Sequence, residues 1–229
     1  YHYDNVFESF DKNKKYYIRT LSDFLENNKY DTIHIHSGSI FTLAFGARIA
    51  KKAGTKNVIV HSHNSGIKNL KYKIIKAISR NIFLKNVDYY LACSSYAALF
   101  KYPHRIIKNK NFKIINNGID IKMFRFDEHI REKIRTELDG ENKIILGHVG
   151  RFAPEKNHTF LLDIFYEFKK INNESILVLI GTGELQKDIV EKAKKLGLSD
   201  DVKFLGTRDN VNEFLSAMDI FVLPSLYEG

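Results

Sequence analysis

Short runs of continuous apolar residues alternate with longer stretches of helical periodicity along most of this chain. The runs at Thr32–His36, Asn57–His61, Tyr89–Ala92 and Lys113–Asn116 read as strands, followed by Lys143–Val149, Ser175–Gly181, Val202–Leu205 and Ile220–Leu223. Most are unbroken Ile/Val/Leu/Phe runs, the signature of parallel strands covered on both faces. Between them Ile40–Lys52, Ile67–Lys85, Thr159–Ile171, Leu185–Leu196 and Val211–Ala217 repeat at helical spacing. Strand–helix–strand units in series predict an open α/β sheet with right-handed crossovers. The polar segment 126–142 carries a charged helical pattern and an Asp139-Gly140 turn. It reads as a linker between an N-terminal domain (1–125) and a C-terminal domain (143–229).

Charge sharpens that division. Residues 1–125 hold 22 Lys and Arg against 8 Asp and Glu, whereas residues 126–229 hold 14 against 19. A basic half beside an acidic half argues for two units with different partners. The basic half suits an anionic bilayer or a phosphorylated acceptor. No zinc finger, RNP signature or aromatic-interleaved basic repeat supports nucleic-acid binding. A single cysteine, Cys93, excludes an internal disulfide framework and fits a reducing, cytoplasmic setting. No window approaches the length of apolar sequence that spans a bilayer.

In open α/β sheets, ligands sit beyond the carboxyl ends of the strands. Four such ends carry chemistry here. After the strand ending at Val149 come Gly150, Arg151 and Lys156, and Asn157 is placed to cap the next helix. Two cations beside a helix N-terminus suit a diphosphate; a solvated loop with two surface cations is the plain alternative. The second end, Gly181-Thr182-Gly183-Glu184, permits close backbone approach but lacks the third glycine of a dinucleotide fingerprint. The third, 224–229, carries Glu228, a carboxylate suited to sugar hydroxyls. The fourth is His61-Ser62-His63-Asn64, with His34 and His36 two apart on the neighbouring strand. Histidines two apart share a face, which raises the question of a metal. No aspartate lies between Asp31 and Asp88, and no H-E-x-x-H or D-x-D occurs. A structural or substrate-contacting role is expected for these histidines, and no metal.

Together these segments resemble glycosyltransferase family 4, retaining enzymes of the GT-B fold. The resemblance rests on Ala92-Cys93-Ser94, on Ile115-Asn116-Asn117-Gly118-Ile119-Asp120 with Phe124, and on Val149-Gly150-Arg151 with Lys156-Asn157. It continues through 180–184, Phe204-Leu205-Gly206 and 224–229. The pairing of HSHNSG with GRFAPEKNH is similar to the bacterial capsular and exopolysaccharide branch. The resemblance implies an α/β fold of two Rossmann-like domains facing across a cleft, truncated at both ends in this chain. The family's first strand and glycine-rich acceptor loop would precede Tyr1, and the second carboxylate of its E-x7-E motif would follow Gly229.

It also implies roles. Arg151 and Lys156 would hold the donor diphosphate, Glu228 the donor region, and His63 the donor sugar. Gly150, Gly181, Gly183 and Glu184 would line the phosphates. The edge at Gly206, Arg208 and Asp209 would meet the nucleobase, and Asn64 and Asn117 would contact substrate. The implied donor is a nucleoside-diphosphate sugar, with no cofactor and no metal. The acceptor would be a saccharide or lipid-linked saccharide in surface polysaccharide synthesis. A nucleotide-sugar epimerase of the same architecture and a non-catalytic nucleotide-sugar-binding module are the alternatives. Finally, Ile67, Leu70, Ile74, Ile78 and Ile82 repeat at helical spacing, with Lys68, Lys71, Lys76 and Arg80 mostly on other faces. That pattern suits peripheral binding to the anionic inner face of a membrane, or equally a core-facing helix with a basic back.

Overall fold

The computed structural model describes residues 14–65 and 70–228, with no side chain for Lys71. The chain divides into two compact units, one of residues 1–118 with 228–229 and one of residues 119–227. In the first, the order is α1 (Lys14–Asn27), β1 (Thr32–Ser37), α2 (Ile40–Lys52), β2 (Asn57–Ser62), α3 (Leu70–Asn86), β3 (Tyr89–Ala92), α4 (Ser95–Lys101), α5 (His104–Ile107) and β4 (Phe112–Ile114). Its four strands are parallel and lie in the order β1-β2-β3-β4.

The second unit runs α6 (Glu128–Glu137), β5 (Ile144–Val149), α7 (His158–Ile171), β6 (Ser175–Ile180), α8 (Gln186–Lys195), β7 (Val202–Gly206), α9 (Val211–Ala217) and β8 (Ile220–Phe221). Its parallel sheet has the order β7-β6-β5-β8. The direction of winding therefore reverses between β5 and β8, and loops leaving these two strands flank the place where such sheets bind ligands. The expectation of two Rossmann-like α/β units is met.

Local chemistry explains the helix starts. Ser39, Ser94 and Asp127 sit in extended backbone, and their side chains accept from the Thr42, Ala97 and Ile130 amides. Each such cap stabilises its helix by about 1 kcal/mol. In the second unit Leu161, Leu162 and Phe165 of α7 are fully buried against Leu177 and Leu179 of β6. Burial of side chains of this size contributes about 1.5–3 kcal/mol each.

Segment 126–142 is not a bare linker. It folds into α6, whose Ile134 is fully buried with Ile145, Val178 and Phe214. Arg131 and Arg135 of α6 grip the chain near Asp219: Arg135 donates to Asp219 at 3.0 Å, and Arg131 also pairs with it. Asp219 in turn accepts from the Ile145 amide at 2.8 Å, fixing the start of β5.

Several edge strands depart from the two-sided burial read from the sequence, β4 among them with Lys113 and Ile114 exposed. β1, an edge strand of its sheet, alternates half-buried Ile33 and Ile35 with exposed Thr32, His34 and His36. β8 is two residues long and both are exposed. The helix α3 turns its predicted stripe outward: Leu70, Ile74 and Ile78 are 73%, 53% and 57% exposed. Its core face is instead Ser79 and Phe83, both fully buried, with Tyr72, Ile75 and Ile82 packed beside them. The core-facing reading therefore fails for those three residues and holds for Ile82. Ile67 and Lys68 lie outside the described residues.

Candidate functional site

In the second unit the loop after β5 is built by backbone bonds between strand ends. The Gly150 amide donates to the Ile180 carbonyl at 2.9 Å, and the Phe152 amide to Thr182 at 2.9 Å. The Gly181 amide donates to Gly206 at 2.8 Å. These bonds bring Gly150, Gly181, Gly183 and Gly206 to one end of the sheet. The close approach explains two of the glycines. Gly181 has φ of +135°, and a Cβ there would stand 2.1 Å from the Gly150 carbonyl oxygen. A Cβ on Gly183 would stand 2.5 Å from the Phe152 oxygen. Gly150 itself is hemmed by side chains, with a Cβ there 3.3 Å from Cδ of Lys156.

Arg151 and Lys156 occupy this loop as expected. Arg151 is 65% exposed, and its Nη2 donates to Glu155 Oε1 at 3.0 Å. Burial pushes the Glu155 carboxyl up, but its own backbone amide, Arg151 and Lys156 together outweigh that and leave it below the ordinary range. Both cations thus act on one carboxylate. Arg151 is held above its ordinary value chiefly by the Glu155 hydrogen bond, with smaller effects from Glu184 and Tyr227. Glu184, itself exposed, therefore joins this end of the sheet.

Asn157 departs from the expected cap. It has left-handed backbone (φ 54°, ψ 42°) and makes no side-chain cap bond. Its Nδ2 instead donates to the Pro224 carbonyl at 3.3 Å, while the Leu226 amide donates to the Glu155 carbonyl at 2.8 Å. The segment after β8 is thereby tied to the cationic loop after β5, on the two sides of the winding reversal. Arg208 lies with its guanidinium carbon 5.7 Å from the centre of the Phe214 ring, and Asp209 is exposed. The Thr182 and Thr207 hydroxyls approach to 3.5 Å.

Beneath the loop sits a pair the sequence reading passed over. His148 Nδ1 bonds to the Val222 carbonyl at 2.8 Å, and His158 stacks on Phe152 at 4.1 Å between ring centres. Burial, then His148 and Lys156, push His158 down to about 4. Two imidazoles in sequence at 148 and 158 were the available signal.

In the first unit His34 and His36 share one face of β1, and His36 stands in register with His61 of β2. His36 Nδ1 lies 2.7 Å from His63 Nε2. His61 is buried, and burial, then His63, His36 and His34, push it down to about 4 against a weak opposing effect of the Ile115 backbone. Burial likewise lowers His34 and His36. The turn after β2 is held from several sides. Cys93 Sγ donates to the His63 carbonyl at 3.2 Å, and the buried Lys101 donates to the Ser65 carbonyl at 3.4 Å. Asn64 packs its amide onto Gly38, where an added Cβ would meet Nδ2 at 2.3 Å. Asn117 is exposed on the irregular stretch after β4. Glu228 groups with this first unit and not with the C-terminal domain expected to run to Gly229: its backbone carbonyl accepts from the Ser65 amide (3.3 Å) and hydroxyl (2.9 Å).

The sequence profile described as Glycosyltransferase Family 4 matches residues 5–123, and that described as Glycosyl transferases group 1 matches residues 130–229. EpsF of Bacillus subtilis, named as a glycosyltransferase, is 32% identical over 93% of this chain and 56% of its own length. CapH of Staphylococcus aureus, a capsular polysaccharide biosynthesis glycosyltransferase, is 29% identical over 90% of this chain and 56% of its own. The chain thus spans a little over half the length of the curated relatives it matches. Among solved structures, Anabaena HepE in complex with UDP and glucose superposes with a TM-score of 0.72 at 21% identity, over 96% of this chain and 59% of HepE. That likeness shows the shared fold. With one profile covering over half of its residues, the chain belongs to glycosyltransferase family 4.

Proposed function

We propose that the chain supplies the acceptor-side and nucleotide-sugar-binding units of a retaining glycosyltransferase of surface polysaccharide synthesis. The donor is a nucleoside-diphosphate sugar and the acceptor a saccharide or lipid-linked saccharide. One observation carries the reading: Arg151 and Lys156 share the loop after β5, tied to the segment after β8 at the winding reversal of the sheet. The names of the relatives add to it. One Escherichia coli relative, 28% identical, is a galactosyltransferase named for a UDP-galactose donor and a diphosphoundecaprenol-linked acceptor. Epimerase and silent-module readings gain no such support.

The chemistry follows from where charge develops. The bond from the anomeric carbon to the diphosphate oxygen breaks, and the acceptor hydroxyl oxygen bonds to that carbon from the same face. Its proton passes to the departing phosphate. Negative charge grows on the diphosphate, and the Arg151 guanidinium, the Lys156 ammonium and the N-terminal end of α7 are cationic or dipolar groups fixed beforehand to meet it. Glu155 engages one Arg151 nitrogen and leaves the rest of the planar fork for phosphate. Protein cations then do the work of a divalent ion in this step. His63 is proposed as a contact to the donor sugar, and the edge from Gly206 to Asp209 as the seat of the base.

A second reading concerns the membrane. The outward stripe of Leu70, Ile74 and Ile78 on α3 is flanked by exposed Lys73, Arg80 and Lys85, which suits the cytoplasmic surface of an anionic bilayer. Lys76 takes no part, since it donates to the Leu99 and Phe100 carbonyls at 2.7 and 2.8 Å. No described helix is long and apolar enough to cross a membrane.

Incubation with UDP-sugars and a polyprenyl-diphosphate saccharide should give an α-linked product from an α-configured donor. Epimerised donor formed without acceptor would overturn the transferase reading. Vesicles rich in acidic lipid should bind the chain at low salt and lose it on Ile74→Glu with Ile78→Glu. Equal binding by that variant would remove the membrane proposal.

A further inference from the structure

The histidines of β1 and β2 in the first unit come together more closely than their sequence positions show. The sequence argues against a metal there because no aspartate follows the H-x-H before Asp88. The fold supplies imidazoles instead. His34 and His36 project from one face of β1, and parallel register sets His61 of β2 directly opposite His36. One ligating nitrogen from each of His34, His36 and His61 lies within 4.8 Å of the others. His61 is only 6% exposed, yet neither ring nitrogen has a hydrogen-bond partner within 3.5 Å, and the Ile115 backbone affects it only weakly. A buried polar group left in that state is costly, and such groups call for an explanation.

We propose that His34, His36 and His61 form a binding site for a first-row divalent cation of the zinc type. Neutral imidazole is a preferred ligand of zinc, copper and nickel, whereas magnesium and calcium prefer oxygen donors. Tetrahedral zinc with bonds of about 2.0–2.1 Å places ligand nitrogens about 3.4 Å apart. Rotation of the exposed His34 side chain would bring the observed spacing to that value. His63 completes the arrangement. Its Nε2 lies 2.7 Å from His36 Nδ1; with the proton on His36 Nδ1, His63 accepts and His36 Nε2 is left for the ion. A ligating histidine held in this way by its second nitrogen is the usual pattern around bound metals. The ion would clamp the edge strand β1 to β2, and none of its ligands belongs to the cationic loop proposed for the diphosphate.

Untagged chain, stripped with chelator, is titrated with Zn2+ by calorimetry and with Co2+ by visible absorption. The expected result is one equivalent of either ion, with the intense visible bands of tetrahedral nitrogen-ligated cobalt. His34→Gln and His36→Gln, at exposed positions that leave the fold intact by circular dichroism, each weaken binding at least tenfold. His129→Gln, at an exposed position in the other unit, leaves it unchanged. Absence of saturable binding, cobalt spectra of the hydrated octahedral ion, or equal affinity in the His34 and His36 variants would each overturn the site. Because the readout is ion binding, its failure leaves the transferase reading untouched.

Discussion

Replacing Gly181 by alanine tests the packing of strand ends that builds the candidate diphosphate site. The new Cβ would stand 2.1 Å from the Gly150 carbonyl oxygen, and real Cβ contacts essentially never fall below 3.0 Å, so the two loops must part by about 0.9 Å. That displacement stretches the Gly150-to-Ile180 and Gly181-to-Gly206 bonds, now 2.9 and 2.8 Å, past useful length. Two weakened backbone bonds cost about 0.5–1.5 kcal/mol each, and holding alanine at a φ of +135° adds about 1–3 kcal/mol. A loss near 3 kcal/mol follows, or a melting temperature lower by more than about 10 °C for a unit of this size. Gly197→Ala is the matched control. It sits at φ +72° with nothing within 4 Å, in a helix-ending turn where the Leu198 amide bonds to Ala193 at 2.9 Å. Backbone strain alone should cost that variant about 1 kcal/mol. Urea titrations of both variants separate strain from collision. If Gly181→Ala is no less stable than Gly197→Ala, the close approach of the two loops is wrong.

Further outcomes follow from other parts of the second unit. Asp219→Ala removes the carboxylate shared by Arg131, Arg135 and the Ile145 amide, leaving the arginines only their backbone carbonyl partners, and should cost about 3 kcal/mol in urea unfolding. Burial raises the Asp219 carboxyl, but those three donors outweigh it and hold the group low, so its contribution is complete above about pH 4 and fades as pH falls through its folded value. His158, pushed down to about 4, behaves with the same sign: the unfolded chain takes up the proton first, near pH 6.5. Stability should fall by about 3 kcal/mol between pH 6.5 and 4, and His158→Phe should flatten that limb of the profile.

Much of this architecture was written in the periodicity, but orientation was not. Each described strand overlaps an expected run, although β4 is Phe112–Ile114 and β8 ends at Phe221; the continuous apolar runs were the clearest signal where the strand is central and buried, as in β6. The helices α1, α4 and α5 were not anticipated; α4 and α5 are seven and four residues long, too short to show a clear period. On α3 the spacing was legible while the buried side was not, because sheet packing chose Tyr72, Ile75 and Phe83 over Leu70, Ile74 and Ile78. The cationic loop was legible from glycine, two cations and a helix start. Its bracing was hidden, because it depends on left-handed Asn157 reaching a segment 67 residues away. Likewise the sequence put His61 on the strand beside His34 and His36, but only register sets it directly opposite His36.

The central claim is that Arg151 and Lys156 grip one diphosphate, and a titration with UDP tests it most directly. Loss of a charge-assisted hydrogen bond is worth about 1.5–3 kcal/mol, or about ten- to a hundredfold in Kd. Arg151→Ala and Lys156→Ala should each weaken UDP binding by that factor while leaving uridine, which lacks the phosphates, nearly unaffected. Unchanged affinity for UDP in either variant would contradict the account.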